Sequence, residues 1–262
     1  AVGEEGANAV YVDDVYMADL SQVINNFNNI ERIEVLKGPQ GTLFGRNATG
    51  GLVHIITREP GDAVVLDAEA GIANYDTYST RIYAAAPLTD QLSADIAFTG
   101  YDQDKGFGKN VTLNKENKLQ NYWGLRSKWV LRATDTLKFT LTGDYNHSYD
   151  NLALGYRQDP EFPGRSLTTT PAPTFDSGWD ALSNHYPTTR LKIWGVSLKS
   201  EADLGFAKLT SVSAYRKTQN NSDFDVDGSA IDWLNIAFSS GTKSFQQEFR
   251  LASTAGGPFT WQ

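Results

Sequence analysis

The chain has 262 residues, 40% hydrophobic and 12% aromatic, with no cysteine and a formal net charge of -8. That suits one large domain or two small ones rather than a disordered chain, and the acidic balance argues against a nucleic-acid partner. The lack of cysteine excludes disulfides and thiolate metal sites, fitting an oxidising compartment without requiring one, and no run approaches the ~18 apolar residues of a membrane-spanning helix.

Residues 8–16, "NAVYVDDVY", predict a strand, a tight Asp-Asp turn and the start of a second strand. Residues 19–30 place Leu20, Val23, Ile24 and Phe27 at helical spacing, with Asp19 or Ser21 as N-cap. Then "RIEVL" and "LVHIIT" alternate as strands around the elbow "LKGPQGTLFGRNATGG". The first sixty residues thus form a small α+β unit with a modest core of Leu20, Ile24, Ile33, Val35 and Ile55. In the elbow, Gly38, Gly41, Gly45, Gly50 and Gly51 permit close backbone approach, and Pro39 fixes a turn. The elbow is not a phosphate loop, because G-x-x-x-x-G-K-[ST] is absent and no helix clearly follows.

From residue 63 the texture changes to long alternating strands. Leu92, Ala94, Ile96 and Phe98 share one face against Ser93, Asp95, Ala97 and Thr99. Trp123, Leu125, Trp129 and Leu131 oppose Tyr122, Arg126 and Lys128. Leu137, Phe139, Leu141 and Tyr145 oppose Lys138, Thr140, Thr142 and Asp144, and Phe245, Phe249 and Leu251 oppose Gln246, Glu248 and Arg250. Residues 206–217 alternate poorly.

The connections, from 87–90 onward, alternate short and long: 104–117, 133–136, 150–189, 204–206, 221–241 and 254–258. An up-and-down membrane barrel has this parity, and a soluble sandwich has no reason to keep it. Strands of roughly 10–13 residues exceed the usual ~5–6 and match the ~9–11 tilted residues that cross hydrocarbon. Trp123 and Trp129 would then be interface girdle residues.

"IERIEVLKGPQGTLFGRNATGGLVHIITREP", from Ile30 to Pro60, resembles the end of the plug domain of TonB-dependent outer-membrane receptors, and "YVDDVY" at 11–16 and "KSFQQEFRLAS" at 243–253 resemble further family segments. The resemblance implies a mainly β fold: a plug, here its C-terminal part over 1–60, within a transmembrane antiparallel β-barrel of roughly 22 strands. Residues 61–262 would be its N-terminal part, about eight strands with "FTWQ" opening a ninth. The chain is therefore expected to be an internal fragment of a longer receptor. Family membership implies the bacterial outer membrane and its lipid, energy from TonB and its inner-membrane complex, no cofactor, and a ferric siderophore or other iron complex as cargo. Cobalamin or carbohydrate uptake, a signalling receptor of the same architecture, and a passive porin-like or adhesin-like barrel are the alternatives.

In the family, basic plug groups pair with acidic wall groups. That nominates Arg32, Glu34, Lys37 and Arg46 beside the elbow, and Glu201 and Glu248 on polar strand faces, against ordinary solvated lumen charge. The plug motif is Gly38, Pro39, Gly41, Gly45, Arg46, Asn47, Gly50 and Gly51. Tyr156, Phe175, Trp179 and Tyr186 in the longest loop are candidates to stack on cargo, or to pack that loop on itself. Asp223, Asp225 and Asp227 resemble half a calcium loop, but its twelfth position is Leu234, so the bidentate carboxylate is missing. His54, His147 and His185 have no metal-ligand spacing, and no set of residues suggests catalysis.

Overall fold

The computed structural model describes residues 8–18, 28–39, 49–152, 178–226, 230, 232, 234–254 and 259–261. They form two sheets and a short ribbon, with no helix among them. The small sheet holds β1 (Asn8–Val12), β2 (Val15–Tyr16), β3 (Ile30–Lys37) and β4 (Gly51–Thr57) in the order β2-β1-β4-β3. Only the β1–β4 pairing is parallel. Asp13 and Asp14 turn the β1–β2 hairpin with φ of 48° and 69°. A two-residue turn with both φ positive matches the strand twist, and the short polar side chain of Asp tolerates it.

The predicted helix falls outside the described residues except for Asn28, Asn29 and Ile30, and Ile30 already begins β3. Ile33 and Val35 are more than half exposed rather than core, because β3 is the edge strand. At the elbow's neck Lys37 pairs with Gly51, where a Cβ would meet the Leu36 carbonyl at 2.7 Å. Gly41, Gly45, Arg46 and Asn47 lie outside the described residues.

The large sheet, the wall, has eight antiparallel strands: β5 (Val65–Ala73), β6 (Thr77–Pro87), β7 (Leu92–Gln103), β10 (Gln120–Thr134), β11 (Leu137–Asp150), β12 (Thr188–Asp203), β13 (Ala207–Asp225) and β14 (Asn235–Ser253). The ribbon β8 (Gly108–Asn110) and β9 (Lys115–Asn117) sits in the β7–β10 connection. The short turns after β6, β10 and β12 share one end with Glu59–Asp62, where the chain leaves the small sheet: Arg132 reaches Glu59 and Asp62, and Lys138 holds Glu59. The long connections share the other end with the tight β5–β6 turn, whose Asp76 pairs with Lys105 at 2.8 Å.

β13 and β14 are 19 residues each, so the connection expected over 221–241 narrows to 226–234. Its flanks begin with an all-polar run, Gln219 to Asp223, that does not alternate, yet they are paired through the backbone.

The wall is inverted relative to a soluble sheet. Ser93, Asp95, Ala97, Thr99, Arg126 and Lys128 are buried, while Trp123, Leu125, Trp129, Leu131, Phe245 and Phe249 are exposed. Burying charge against protein while exposing aromatics suits a wall with lipid outside and a polar lumen inside. Val212 and Ala214 interrupt the polar inner face and complete the small sheet's core with Val10, Val12, Val15, Met17 and Ile55. That contact explains the weak alternation at 206–217: there the inner face meets protein rather than water.

Candidate functional site

The β1–β2 turn aims two carboxylates at the wall. Asp13 Oδ2 meets Arg126 at 2.5 Å and Lys128 at 3.3 Å, and accepts from the Thr57 hydroxyl at 2.6 Å. Its Oδ1 accepts from the Thr57 amide at 2.9 Å, fastening the turn to the end of β4. Asp14 accepts from Lys199 at 2.8 Å and Arg250 at 2.9 Å, while its amide donates to His54 Nε2. Behind Arg126, Asp144 binds Arg216 through two bonds of 2.8 and 2.9 Å, so charge alternates from the turn into the wall. Gly195 leaves room for that guanidinium, which a Cβ would meet at 2.6 Å.

Burial alone would raise both turn carboxyls. For Asp13, Arg126, Lys128 and the Thr57 bonds reverse the sign and hold it below the usual range. For Asp14, Lys199 and Arg250 outweigh burial and hold it down to about 2. Both are therefore ionised at neutral pH. A cleft of about 390 Å³ opens beside them, lined by Asp13, Asp14, Arg32 and Glu59 on one side and Lys128, Lys138 and Lys199 on the other. Neutral contacts cross the seam too: the Tyr16 amide donates to Gln246, and Asn28 Nδ2 donates to the carbonyls of Ile82 and Phe98.

The expected polarity, base on the small sheet and acid on the wall, is not that of the pairs that cross. Acids Asp13, Asp14 and Glu59 cross to wall bases. Arg32 pairs instead with Glu31 and Glu34 on its own exposed strand, and Lys37 ends that strand beside the elbow. Glu201 holds Lys208 at 2.9 Å and stands 3.8 Å from Lys138 and Lys199, and Glu248 holds Arg250 at 2.9 Å. These two wall carboxylates brace the bases that reach the turn. The sequence carried only an indirect signal: the inward strand faces are rich in bases, which need acids opposite, but no spacing assigns those acids to the turn.

At the far end, the ribbon and residues 178–187 dock together. Ala181 exchanges backbone bonds with Lys109 and Val111, and Asn110 Nδ2 donates to the Ser183 carbonyl. The Tyr186 hydroxyl donates to the Glu116 carbonyl and accepts from Asn151. Trp179 lies 6.1 Å from the Phe107 ring and is more than half exposed. Tyr156 and Phe175 lie outside the described residues. Asp223 faces His185 Nε2 at 2.8 Å, Asp225 is fully buried, and Asp227 lies outside the described residues. Among the described residues no three His, Asp or Glu side chains gather to hold a metal.

Residues 3–52 match the model of the TonB-dependent receptor plug domain. The pesticin receptor of Yersinia pestis is 33% identical over 86 residues, 33% of this chain and 13% of that protein. The catecholate siderophore receptor Fiu of Escherichia coli is 35% identical over 72 residues, 28% of this chain and 9% of that protein. In fold, the chain is similar to the ferric yersiniabactin uptake receptor FyuA from Yersinia pestis, with a TM-score of 0.77 at 18% identity over 96% of this chain and 37% of that one. It is similar also to the siderophore receptor PiuA from Acinetobacter baumannii, with a TM-score of 0.72 at 15% identity over 96% of this chain and 36% of that one. The chain spans well under half the length of these proteins. Residues 3–52 thus carry the plug signature of TonB-dependent receptors, and the chain as a whole has the fold of part of such a plugged barrel.

Proposed function

We propose that this chain is part of an energy-coupled receptor of the bacterial outer membrane that takes up a ferric siderophore or similar iron chelate. Residues 1–60 contribute the C-terminal part of the plug, and residues 61–262 the first strands of the barrel. The observation that carries the reading is the seam itself: a folded sheet seated against the charged inner face of a wall whose outer face is aromatic and apolar. A passive porin-like channel has no use for such a sheet.

The seam's chemistry suits a plug that must hold and then yield. Its ion pairs border a polar cleft, so water can take over each bond as it parts. A mechanical load from TonB on the periplasmic side would first meet Glu59 with Lys138 and Arg132, then the Asp13 and Asp14 pairs. Among the motif residues, Gly38, Pro39, Gly50 and Gly51 form the neck of the elbow, and the motif's role is to pass the chain thinly between plug and wall. Cargo would bind at the end bearing the long connections, where Trp179 offers an exposed ring.

The iron-chelate assignment draws on what similar proteins are named for, ferric yersiniabactin uptake and catecholate siderophore reception. The test is growth of a deletion strain on single ferric chelates as the only iron source. Growth should fail on at least one and return with the intact gene. Undiminished growth on every chelate would overturn the cargo, while leaving the fold untouched.

A further inference from the structure

Register stacks the inward side chains of β10 to β13 into rows. One row is Arg126, Asp144, Gly195 and Arg216, the charged backing of the seam. Above it, towards the long connections, the next three rows hold a single charged group, Asp150, which pairs with Gln120 and Thr189. Six residues separate Asp150 from Asp144, roughly 20 Å along an antiparallel strand. Neither Arg126 nor Arg216 reaches that far.

Asp150 is treated differently from other acids of the inner face. Asp144, Glu201 and Glu248 each hold a base at 2.8 or 2.9 Å. Asp150 holds none among the described residues: its Oδ1 accepts the Leu152 amide at 3.2 Å, and no charged neighbour acts on the carboxyl. The nearby bases are turned elsewhere. Lys118, two residues before Gln120, donates to the Leu152 carbonyl at 3.5 Å, and Arg190 lies on the outer face over the Tyr149 ring at 5.6 Å. A partly buried carboxylate without a counter-charge costs stability, and a ligand that brings the cation offsets that cost.

The carboxylate opens on a cavity of about 290 Å³. Gln120, Ser148 and Thr189 stand beside it with amide and hydroxyl groups, and Leu191 and Ile193 make an apolar strip one and two rows below. Ile193 is almost fully buried there. This volume is at the small end of the ~300–1,000 Å³ of ligand sites, so it suits one arm of a cargo molecule rather than a whole chelate. A lone carboxylate at the head of an apolar strip selects a protonated amine on a short alkyl stem.

We propose that this cavity takes an alkylammonium arm of the cargo, with Asp150 accepting the ammonium protons and Leu191 and Ile193 packing the stem. This rests on the reading of the chain as part of an iron-chelate receptor, and it narrows the cargo to chelates that carry a free amine. A hydrogen bond to a charged group accounts for about tenfold in affinity.

The complete receptor, purified in neutral detergent, is titrated near neutral pH with pentylamine and with its uncharged N-acetyl derivative, and binding is read by ligand-observed NMR. The wild type should bind the amine about tenfold more tightly than the amide. Asp150→Asn, with its fold checked by circular dichroism, should lose that preference. Equal affinity of the wild type for the two compounds, no saturable binding of the amine, or an undiminished preference in Asp150→Asn would overturn the seat. The iron-chelate reading fails separately, in the growth test. If no ferric chelate depends on the receptor while pentylamine still binds through Asp150, the seat stands and the cargo reading falls. If a chelate does depend on it but the amine shows no preference, the seat falls and the cargo reading stands.

Discussion

The seam under the plug and the loop cluster at the other end are both tertiary contacts made by the same wall, yet they are built from different bonds. At the seam, Asp13 and Asp14 reach four wall bases across a polar cleft. In the cluster, backbone amides and the neutral side chains of Asn110, Asn151 and Tyr186 do the joining, and close approach is set by glycine. A Cβ at Gly106 would stand 1.9 Å from the Asn117 carbonyl, and one at Gly108 2.5 Å from that of Trp179. Short neutral bonds at backbone distance hold one geometry. Ion pairs at the edge of water tolerate a change of partner, as the proposed yielding of the plug would require.

Three expectations would break or sharpen this contrast. The largest effect belongs to Asp13→Ala, which strips Arg126 and Lys128 of their shared acid while leaving both charges buried. Removing one partner of a buried pair costs about 3–5 kcal/mol. Amide exchange of residues 8–17 in the complete receptor should accelerate accordingly, while that of the loop cluster stays unchanged. An effect below about 1 kcal/mol would mean that the apolar contact with Val212 and Ala214 alone seats the plug.

Acidification comes next. Asp14 is held down to about 2 in the folded protein, below its value in an unfolded chain. A depressed carboxyl contributes stability that is complete above the unfolded pKa and disappears as pH falls through the folded one. The Asp14 contribution, about 2 kcal/mol from the size of that shift, should fade between about pH 4 and pH 2. Asp14→Asn should flatten the exchange profile of the β1–β2 hairpin over that window. If the variant and the wild type fall in parallel, another group governs the transition.

The smallest effect is expected from Tyr186→Phe. It removes the bonds to Glu116 and Asn151, worth about 1 kcal/mol for a neutral pair. Exchange should rise in residues 115–119 and 151–152 and remain unaltered at the seam. A response at the plug would show that the two ends are coupled.

Much of this molecule was legible from residue order. The alternation at 92–99, 120–131 and 245–251 marked the faces that proved buried and exposed, because a strand's side chains take opposite sides whatever it packs against. Alternation alone left open which face met protein. The strand at 206–217 was obscured because Val212 and Ala214 sit on the lumen side opposite the plug core. Asp13 and Asp14 were readable as a turn, but not as the acids of the seam, since their partners lie more than a hundred positions away in the chain.

By itself, then, the sequence determined the local matters: strand periods, the Asp-Asp turn, the glycines of the neck and the parity of short and long connections. These depend on side-chain size, backbone freedom and spacing within a few residues. Only the tertiary structure decided the direction of the ion pairs and the row in which Asp150 faces no base. Charge pairing depends on distances of 3 to 4 Å between residues remote in the chain, and strand register sets those distances.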